Sequence, residues 1–344
     1  MKKICIFSRP FHPAVGGLEQ IAKTLANEFS ILGFDVEVVT DTKESKNETN
    51  DFPFKITRTS SFKKRYDSFK YADVILFMNF TFAGVPAALL SRSPIVLSHH
   101  GIYDSKSNLK VRLLEFTKRQ LTRFFPNISV SSFVAKNLPG RSSVIPNAYD
   151  DQLFSYKESL RTKDFVFCGR LVDAKGVKLL LDAFEKVIKA FPNSSLTIIG
   201  DGPEYPSLVE QSKSIAPSGN VTFTGTLRGN HLVDALREHT CMVIPSIWEE
   251  PFGIVALEGI ASCKTVIASS RGGLPEAIAN CGTLVEPTAD ALYEAMIDIL
   301  HAQQNGALLP GQPSDTQRAE HLAKHSAKGV AQHYIDILKK ATNK

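Results

Sequence analysis

The chain has 344 residues, of which 43% are hydrophobic and 22% charged, a composition typical of a soluble globular protein with about two domains. No apolar run approaches the roughly 18 residues of a membrane span, and the run after Met1-Lys2-Lys3 is too short for a secretory signal. The five cysteines are scattered and odd in number, which favours a reducing compartment. We therefore expect a cytoplasmic protein.

The positive charge is concentrated in the first part of the chain. Residues 1–150 hold 21 Lys and Arg against 13 Asp and Glu, whereas the remainder holds 19 against 22. This asymmetry predicts that the first part meets a negatively charged partner. The alternative is a solvated surface with a chance imbalance.

The first part alternates short apolar runs with helical periodicity. A strand at Lys3–Ser8, apolar residues at helical spacing from Leu18 to Leu32, and a strand at Asp35–Thr40 form one βαβ unit. Such a unit predicts a parallel sheet with right-handed crossovers. Asp41–Asn50 is expected to be a surface loop. Further strands are expected near Lys55–Thr59, Asp73–Met78, Ile95–His99, Ile128–Val130 and Ser143–Ile145.

A second series begins after Asp150. We expect strands at Phe165–Cys168, Leu196–Ile199, Val221–Thr224, Cys241–Ile244, Thr265–Ala268 and Thr283–Val285. We expect helices at Val177–Ala190, Glu204–Ile215, His231–His239, Asp290–Gln303 and, after a linker at Asn305–Ser314, from about Gln317 to Ala341.

The predicted fold class is α/β, with two doubly wound domains at residues 1–155 and 156–314. A C-terminal helix in residues 315–344 is expected to return to the first domain. Ligands of such domains bind at the carboxyl ends of the strands, which predicts a site in a cleft between the two domains.

Residues 245–258 carry the strongest chemical signal. They follow a buried strand, pass through a loop containing Glu250, and enter a helix near Gly253 with Glu258 in its second turn. Unpaired amides at a helix start can hold an anion, and carboxylates on either side could hold hydroxyl groups. A nucleotide-sugar presents sugar, phosphate and ribose in that order.

Two cations follow another predicted strand. Arg170 and Lys175 come after Phe165–Cys168, and a guanidinium and an ammonium are complementary ways to hold a diphosphate. The alternative is a pair of solvated surface cations.

Two further features lie at strand ends in the first part. Gly16-Gly17 would let a phosphate or sugar approach a helix N-terminus, or would mark a tight turn with positive φ. In His99-His100-Gly101, one histidine is expected to contact a sugar while the other packs, and the following glycine favours His100.

Metal and dinucleotide sites are disfavoured. Gly200–Pro203 lacks the third glycine of a dinucleotide-binding fingerprint. His321 and His325 stand four apart without a third ligand, which predicts a solvated helix face. No Asp-x-Asp pair is present, so we expect neither a metal nor another cofactor.

Ser107–Phe125 interleaves apolar and basic residues. A basic amphipathic helix can lie on an anionic membrane surface. The alternative is a helix packed on the sheet with its basic residues in water.

Together these motifs resemble the retaining family 4 glycosyltransferases of the GT-B fold. The resemblance extends from the first strand to about Val285. The pieces that carry it are Pro13–Glu19, His100-Gly101, Val144–Asn147, Gly169-Arg170-Leu171 with Lys175-Gly176, Gly200–Pro203 and the pair Glu250 and Glu258 with Pro251-Phe252-Gly253 between them.

The resemblance implies a role for each matched residue. Arg170 and Lys175 would neutralise the donor's diphosphate, Glu250 would hold hydroxyls of the donor sugar, and Glu258 those of the ribose. His100 would position the reacting sugar or its acceptor. Backbone amides would bind the sugar and phosphates at Gly16, Gly17, Phe252, Gly253, Ile254 and Val255, while the loops Gly200–Pro203 (with Gly202) and Thr224–Leu227 would flank the base.

The implied activity is retaining, metal-independent transfer of a sugar, of hexosyltransferase type, from a UDP- or GDP-sugar to a glycan acceptor. The basic helix favours a lipid-linked acceptor at the inner membrane surface, in cell-surface polysaccharide or glycolipid biosynthesis, and no nucleic acid is expected. The alternatives are a soluble-acceptor sugar-phosphate synthase and a non-catalytic nucleotide-sugar-binding protein. A nicotinamide-dependent oxidoreductase is disfavoured because the dinucleotide fingerprint is missing.

Overall fold

The computed structural model describes residues 1–14, 16–44, 51–103, 108–216 and 219–343. The described residues therefore do not include Val15, residues 45–50 of the expected surface loop, or Ser107. The chain forms two compact units, unit 1 (Met1–Ala148 and His325–Lys344) and unit 2 (Tyr149–Lys324). The sequence places the boundaries near residues 155 and 314, whereas the structure places them after residues 148 and 324.

Unit 1 is built on a seven-stranded parallel sheet of order β3-β2-β1-β4-β5-β6-β7. Its strands are β1 (Lys3–Phe7), β2 (Asp35–Thr40), β3 (Lys55–Arg58), β4 (Val74–Met78), β5 (Ile95–His99), β6 (Asn127–Ser129) and β7 (Ser142–Val144). The helices between them are α1 (Gly17–Ile31), α2 (Phe62–Phe69), α3 (Val85–Ser91), α4 (Leu109–Leu121) and α5 (Ser132–Lys136). The strands β1, β4 and β5 are almost continuously apolar because both faces of the sheet are covered.

Unit 2 is built on a six-stranded parallel sheet of order β10-β9-β8-β11-β12-β13. Its strands are β8 (Lys163–Cys168), β9 (Leu196–Ile199), β10 (Val221–Gly225), β11 (His239–Ile244), β12 (Thr265–Ser269) and β13 (Thr283–Val285). Its helices are α6 (Val177–Ala190), α7 (Tyr205–Ile215), α8 (Gly229–Arg237), α9 (Ile254–Ile260), α10 (Leu274–Ile278), α11 (Ala289–Gln304) and α12 (Asp315–Ala323).

The core of unit 2 fills the space between its sheet and the helices α6 and α11. Phe165 and Val243 of the sheet pack with Phe184 of α6 and Met296 of α11. Each fully buried side chain of this size contributes about 1.5–3 kcal/mol. This packing fixes the positions of the strands from whose carboxyl ends the loops leave.

The predicted last helix is in fact two helices, so that prediction was wrong. After α12 the chain turns at residues 324–326 and begins α13 (Ala327–Thr342). The Ser326 side chain accepts a hydrogen bond from the amide of Gly329 at 3.3 Å, and so starts the new helix. The break coincides with the passage of the chain from unit 2 to unit 1.

The two histidines near this break are buried, and the predicted solvated face is therefore wrong. His321 and His325 are only 8% and 4% exposed. His321 Nε2 lies 2.8 Å from the carbonyl oxygen of Ala277, and His325 Nδ1 lies 3.2 Å from that of Asn147. Each ring thus bonds a backbone carbonyl within its own unit.

Helices cover both faces of the unit 1 sheet. The steps β3 to β4, β4 to β5 and β5 to β6 all run in one direction, so right-handed crossovers place α2, α3 and α4 on the same face. The step β1 to β2 runs the other way, which places α1 on the opposite face, where it packs with α13. In the described part of the chain, no helix is long and apolar enough to cross a membrane.

Candidate functional site

Loops that leave the three neighbouring strands β8, β11 and β12 of unit 2 are tied together at the carboxyl edge of the sheet. The amides of Ile247 and Trp248, after β11, donate to the carbonyl of Ala174, after β8, at 3.1 and 3.2 Å. The amide of Gly273, after β12, donates to the carbonyl of Glu250 at 2.6 Å. The predicted donor-site residues of unit 2 therefore lie on connected loops.

Glycines allow these loops to pack backbone against backbone. Gly176 has a φ of +69°, and a Cβ there would lie 2.0 Å from the carbonyl oxygen of Pro245. A Cβ at Gly202, the predicted base-flanking position, would lie 2.3 Å from the carbonyl oxygen of Leu171. A side chain at either position would push two of the loops apart.

Lys175 and Glu250 are in direct contact. Lys175 Nζ lies 2.5 Å from Glu250 Oε1, which also accepts a hydrogen bond of 2.9 Å from the hydroxyl of Ser246. The Glu250 carboxylate is largely buried, whereas the Lys175 side chain is 30% exposed. Arg170 stands on the same loop as Lys175 and is exposed to solvent.

Ser246 was missed by the sequence reasoning, although it lies only four residues before Glu250. Its hydroxyl is buried and holds the Glu250 carboxylate. Sequence periodicity does not identify a serine in a loop, because its contact with Glu250 depends on the conformation of the loop.

The predicted amide-rich turn is present at the start of α9. Gly253 is the N-cap residue, with a φ of +99°, and Ile254 and Val255 form the first helical turn. The side chain of the preceding Phe252 is buried and anchors the turn. First-turn amides of a helix have no intrahelical acceptor, so they are suited to an anion.

Glu258 lies one turn into α9. Burial, together with the nearby negative charge of Asp150, raises the pKa of Glu258 to about 7. Hydroxyl groups that donate hydrogen bonds to this carboxylate would lower its pKa, because each such bond favours the charged form.

In unit 1, Gly16 and Gly17 begin α1, as the sequence predicts. Gly16 has a φ of 178°, an extended conformation, and Gly17 is the first helical residue, so neither needs positive φ. A Cβ at Gly16 would lie 2.4 Å from Glu19 Oε2. The glycine thus allows the Glu19 carboxylate to approach the N-terminus of α1, which contradicts the tight-turn alternative.

The two adjacent histidines after β5 have different surroundings. His99 is fully buried, and its Nδ1 and Nε2 lie 2.8 Å from the Tyr103 hydroxyl and from Asn127 Oδ1, respectively. His100 Nδ1 is buried beside the Asn147 side chain but makes no hydrogen bond of good geometry among the described residues. The geometry therefore favours His100 as the histidine with capacity for a ligand.

His100 is held by a chain of hydroxyl groups. Its Nε2 lies 2.8 Å from Ser98 Oγ, which lies 2.7 Å from the hydroxyl of Tyr334 in α13. Its backbone amide donates to Asn79 Oδ1 at 2.7 Å. Burial, and secondarily the neighbouring His99, lowers the pKa of His100 to about 3, so the ring is neutral at physiological pH.

A pocket of 560 Å³ opens at the carboxyl ends of β1, β2 and β4 in unit 1. Its size suits a small-molecule ligand. Arg9 and Asp41, which form an ion pair of 2.9 Å, line it together with Asn79 and, from α4, Lys118. The sequence reasoning missed these residues, because they meet only in the folded sheet.

The predicted basic helix is α4, followed by a 3-10 turn at Thr122–Phe124. None of its residues is buried, and several large apolar side chains point into solvent. Among the described residues, no group of three or more His, Cys, Asp or Glu could hold a metal ion.

Comparison with known proteins decides the family. Residues 15–153 match the family model described as "Glycosyltransferase Family 4", and residues 149–309 match the model described as "Glycosyl transferases group 1". The chain is a family 4 glycosyltransferase of the GT-B fold. The resemblance and the fold class inferred from the sequence are thereby confirmed.

Relatives of this glycosyltransferase come from distant organisms. An uncharacterized glycosyltransferase of Methanocaldococcus jannaschii is 33% identical over 132 residues, which are 37% of this chain and 33% of that protein. The phosphatidylinositol N-acetylglucosaminyltransferase gpi3 subunit of Schizosaccharomyces pombe is 28% identical over 211 residues, which are 58% and 45% of the two chains. The chain thus spans about a third to a half of the length of these curated relatives.

A solved structure with the same fold is that of the Anabaena protein HepE in complex with UDP-glucose. It superposes with a TM-score of 0.81, covers 99% of this glycosyltransferase and 100% of HepE, and shares 19% identity. At this identity the likeness establishes the fold.

Proposed function

We propose that this glycosyltransferase moves a sugar from a nucleotide-diphosphate sugar to a glycan acceptor with retention of anomeric configuration. The observation that carries the proposal is the Lys175–Glu250 pair of 2.5 Å, on a loop shared with exposed Arg170. A carboxylate and two cations on connected loops match the hydroxyl groups and the diphosphate of one donor.

The donor side of the mechanism is electrostatic. Arg170 and Lys175 stabilise the negative charge that develops on the leaving diphosphate, and preorganised charges of this kind are the largest single contribution in many enzymes. Glu250 holds hydroxyls of the donor sugar, and Ser246 keeps its carboxylate in place. Glu258 accepts hydrogen bonds from the ribose.

Backbone amides complete the proposed donor contacts. Those of Phe252, Gly253, Ile254 and Val255 bind the sugar and phosphate, and those of Gly16 and Gly17 approach the pyrophosphate. Gly202 keeps its loop against Leu171 beside the base.

His100 positions the reacting sugar or the acceptor. Because its pKa is about 3, it acts as a neutral hydrogen-bonding group and does not carry a positive charge at neutral pH. The ring nitrogen that does not bond Ser98 is the buried Nδ1, which lies beside the Asn147 side chain.

We propose that no metal is required, because two side-chain cations supply the charge that the leaving diphosphate needs. Prolonged dialysis against a chelator should leave the initial transfer rate unchanged. A loss of activity that Mg²⁺ or Mn²⁺ restores would contradict this part of the proposal.

The stereochemical test uses a synthetic donor of known anomeric configuration. The first product should keep that configuration, and NMR before mutarotation detects it. An inverted product would overturn the proposal.

The contribution of Lys175 is tested by substitution. Lys175→Ala should lower kcat/KM about 10²-fold or more, whereas Lys178→Ala, an exposed lysine three residues later, should leave kcat/KM unchanged. Equal kinetics of the two variants would remove Lys175 from the site.

The donor is a UDP- or GDP-sugar. The UDP-glucose complex of HepE supports the UDP series without fixing the donor of this chain. A thermal-shift screen of nucleotide-sugars should find one that raises Tm, because a ligand that binds only the native state stabilises it. A screen in which no nucleotide-sugar raises Tm would count against the donor site.

We propose a lipid-linked acceptor, met by a peripheral protein at the inner membrane face during synthesis of a cell-surface polysaccharide or glycolipid. The name of the fission-yeast relative, which includes phosphatidylinositol, supports a lipid acceptor. The pocket of 560 Å³ in unit 1 is the proposed acceptor site.

A sugar-phosphate synthase with a soluble acceptor is the second candidate. The ion-paired cations Arg9 and Lys118 in the pocket would also suit a soluble phosphate. Product formation from a water-soluble sugar phosphate, with none from lipid extracts, would favour this candidate.

A protein that only binds nucleotide-sugars would show a higher Tm with its ligand in the screen and would form no product.

A further inference from the structure

Helix α4 carries a stripe of apolar side chains that points away from unit 1. Leu109, Leu113 and Phe116 are 78%, 64% and 56% exposed. Their spacing of four and three residues places them on one side of the helix. Lys118, on the opposite side, faces the pocket of unit 1, so α4 separates that pocket from the apolar stripe.

The two preceding helices of the same layer also expose large apolar side chains. In α3, Leu89 and Leu90 are 58% and 59% exposed, and in α2, Phe62 is 51% exposed. The inward sides of the three helices pack into one core, which contains Phe69 of α2, Ala88 of α3 and, partly buried, Leu121 of α4. Their exposed sides lie on the same side of the sheet and are here called the three-helix face.

The charge of the three-helix face is almost entirely positive. Its exposed cations are Lys63, Lys64, Lys70, Arg92, Lys110, Arg112 and Arg123. Its carboxylates are Asp67, which pairs with Lys70 at 3.7 Å, and Glu115, which pairs with Lys118 at 2.7 Å. The remaining cations are available to an anionic partner.

We propose that the three-helix face docks on an anionic lipid bilayer, with the apolar side chains of α2, α3 and α4 in the headgroup region and the surrounding cations on lipid phosphates. The inference rests on the proposed function for its lipid-linked acceptor, and it extends the contact predicted from the sequence beyond α4. Long basic side chains around apolar ones suit such an interface, because they bury their stems while the charged ends stay at the headgroups.

Charge complementarity favours a bilayer over a protein partner. A protein would have to supply carboxylates opposite cations that lie on three separate helices, whereas an anionic membrane presents negative charge over its whole surface.

The position of α4 also has a consequence for the acceptor, because a lipid headgroup at the edge of this helix is close to the pocket that Lys118 lines.

The test is co-sedimentation of the full chain with vesicles of phosphatidylcholine alone or with about 30% of the anionic lipid phosphatidylglycerol. We expect salt-sensitive binding to the anionic vesicles and at least 10-fold weaker binding to the neutral ones. Leu113→Ser with Phe116→Ser, and separately Leu89→Ser with Leu90→Ser, should each weaken binding at least 10-fold.

Ile31→Ser is the matched control. Ile31 is 69% exposed at the end of α1, which covers the opposite face of the sheet. Its substitution should leave vesicle binding unchanged. The proposal would be overturned if the wild-type protein did not bind the anionic vesicles. Unchanged binding of the Leu89/Leu90 variant, or an equal loss in the Ile31 variant, would also overturn it.

A second readout separates this proposal from the proposed function. The surface variants should keep the donor-induced rise in Tm, because they leave unit 2 unchanged. Normal vesicle binding without any donor response would overturn the donor site and leave the docking surface standing, whereas the reverse result would overturn only the docking surface.

Discussion

Among single residues, Glu258 gives the proposed donor site a testable dependence on pH. Burial, and secondarily the negative charge of Asp150, raises the pKa of Glu258 to about 7, so its protonated form is present near neutrality. If Glu258 binds the ribose as proposed, the hydroxyl groups favour its ionised form, and donor binding would release a proton. We expect donor affinity to fall as the pH drops through 7.

Calorimetric titration with an intact nucleotide-sugar between pH 5.5 and 8.5 measures this dependence. Glu258→Gln should bind more weakly at pH 8 and show a flat profile across the same range. A wild-type affinity that is constant with pH would contradict the assigned role of Glu258.

The hydroxyl chain behind His100 makes a second prediction at this scale. Ser98→Ala removes the group that contacts His100 Nε2, and Tyr334→Phe removes the next hydroxyl. Since each hydrogen bond is worth about 0.5–1.5 kcal/mol, we expect kcat to fall by about 2- to 10-fold in either variant while the donor KM stays constant. Tyr71→Phe, at an exposed tyrosine, is the control.

A merely structural role for these hydroxyls would lower Tm without altering kcat of the folded enzyme. Steady-state kinetics below the unfolding transition, together with melting curves, distinguish the two cases. Unchanged kcat in both variants would show that the chain does not position His100.

The relative positions of the candidate site residues could be predicted from the sequence where they lie in a local motif. Glu250, Gly253 and Glu258 follow one strand, and their relation to the start of α9 needs only helical spacing. The contact of Lys175 with Glu250 joins residues 75 positions apart, so it depends on the order of the strands.

At the scale of elements, α9 is held at both ends. Gly253 caps its start, and beyond its C-terminus the Arg318 guanidinium from α12 donates to the carbonyls of Ile260, Cys263 and Lys264, with the last two at 3.0 Å. Arg318 also stacks on the ring of Tyr156 at 3.7 Å. A buried arginine thus fixes the helix that carries Glu258.

Arg318→Met should therefore act on both stability and donor binding. We expect unfolding free energy to fall by about 3 kcal/mol or more, because several charge-assisted hydrogen bonds are lost and their carbonyls are left without partners. Donor affinity should fall as well. Lys213→Met, at an exposed position on α7 of the same unit, should change neither quantity in thermal melts and titrations.

Element boundaries could be predicted where a backbone signal marks them. The prediction of α6 matched at Val177–Ala190 because Gly176 precedes it and Phe191-Pro192 follows it. The break between α12 and α13 has neither glycine nor proline, and it is visible only as the cap by Ser326 and the change of unit.

The whole molecule is a chain in which unit 2 interrupts unit 1. Two α/β domains follow from the alternating pattern, whereas the boundaries at residues 148 and 324 depend on which sheet the last helix covers. The apolar side of α13 would fit any sheet with an open face, so periodicity alone cannot assign it.

The contribution of α13 to unit 1 can be measured by deleting residues 325–344. The deletion removes a set of buried side chains: Ala327, Val330, Ala331, Tyr334, Ile335 and Leu338. With about 1.5–3 kcal/mol for each large one, the loss is comparable to the total stability of a domain.

We therefore expect unit 1 to unfold in the deletion variant while unit 2 retains its melting transition and its donor-induced shift. Differential scanning calorimetry with and without nucleotide-sugar resolves the two transitions. Two unchanged transitions would contradict the assigned packing of α13.

The interrupted order of unit 1 has a consequence for biosynthesis. Ribosomes release all of unit 2 before α13 emerges, so the face of β4 and β5 that this helix covers stays open during that interval. The last closure then joins two distant points of the chain, where His325 meets the carbonyl of Asn147. Unit 1, which contains His100, can therefore complete its fold only after the whole of unit 2 has been synthesised.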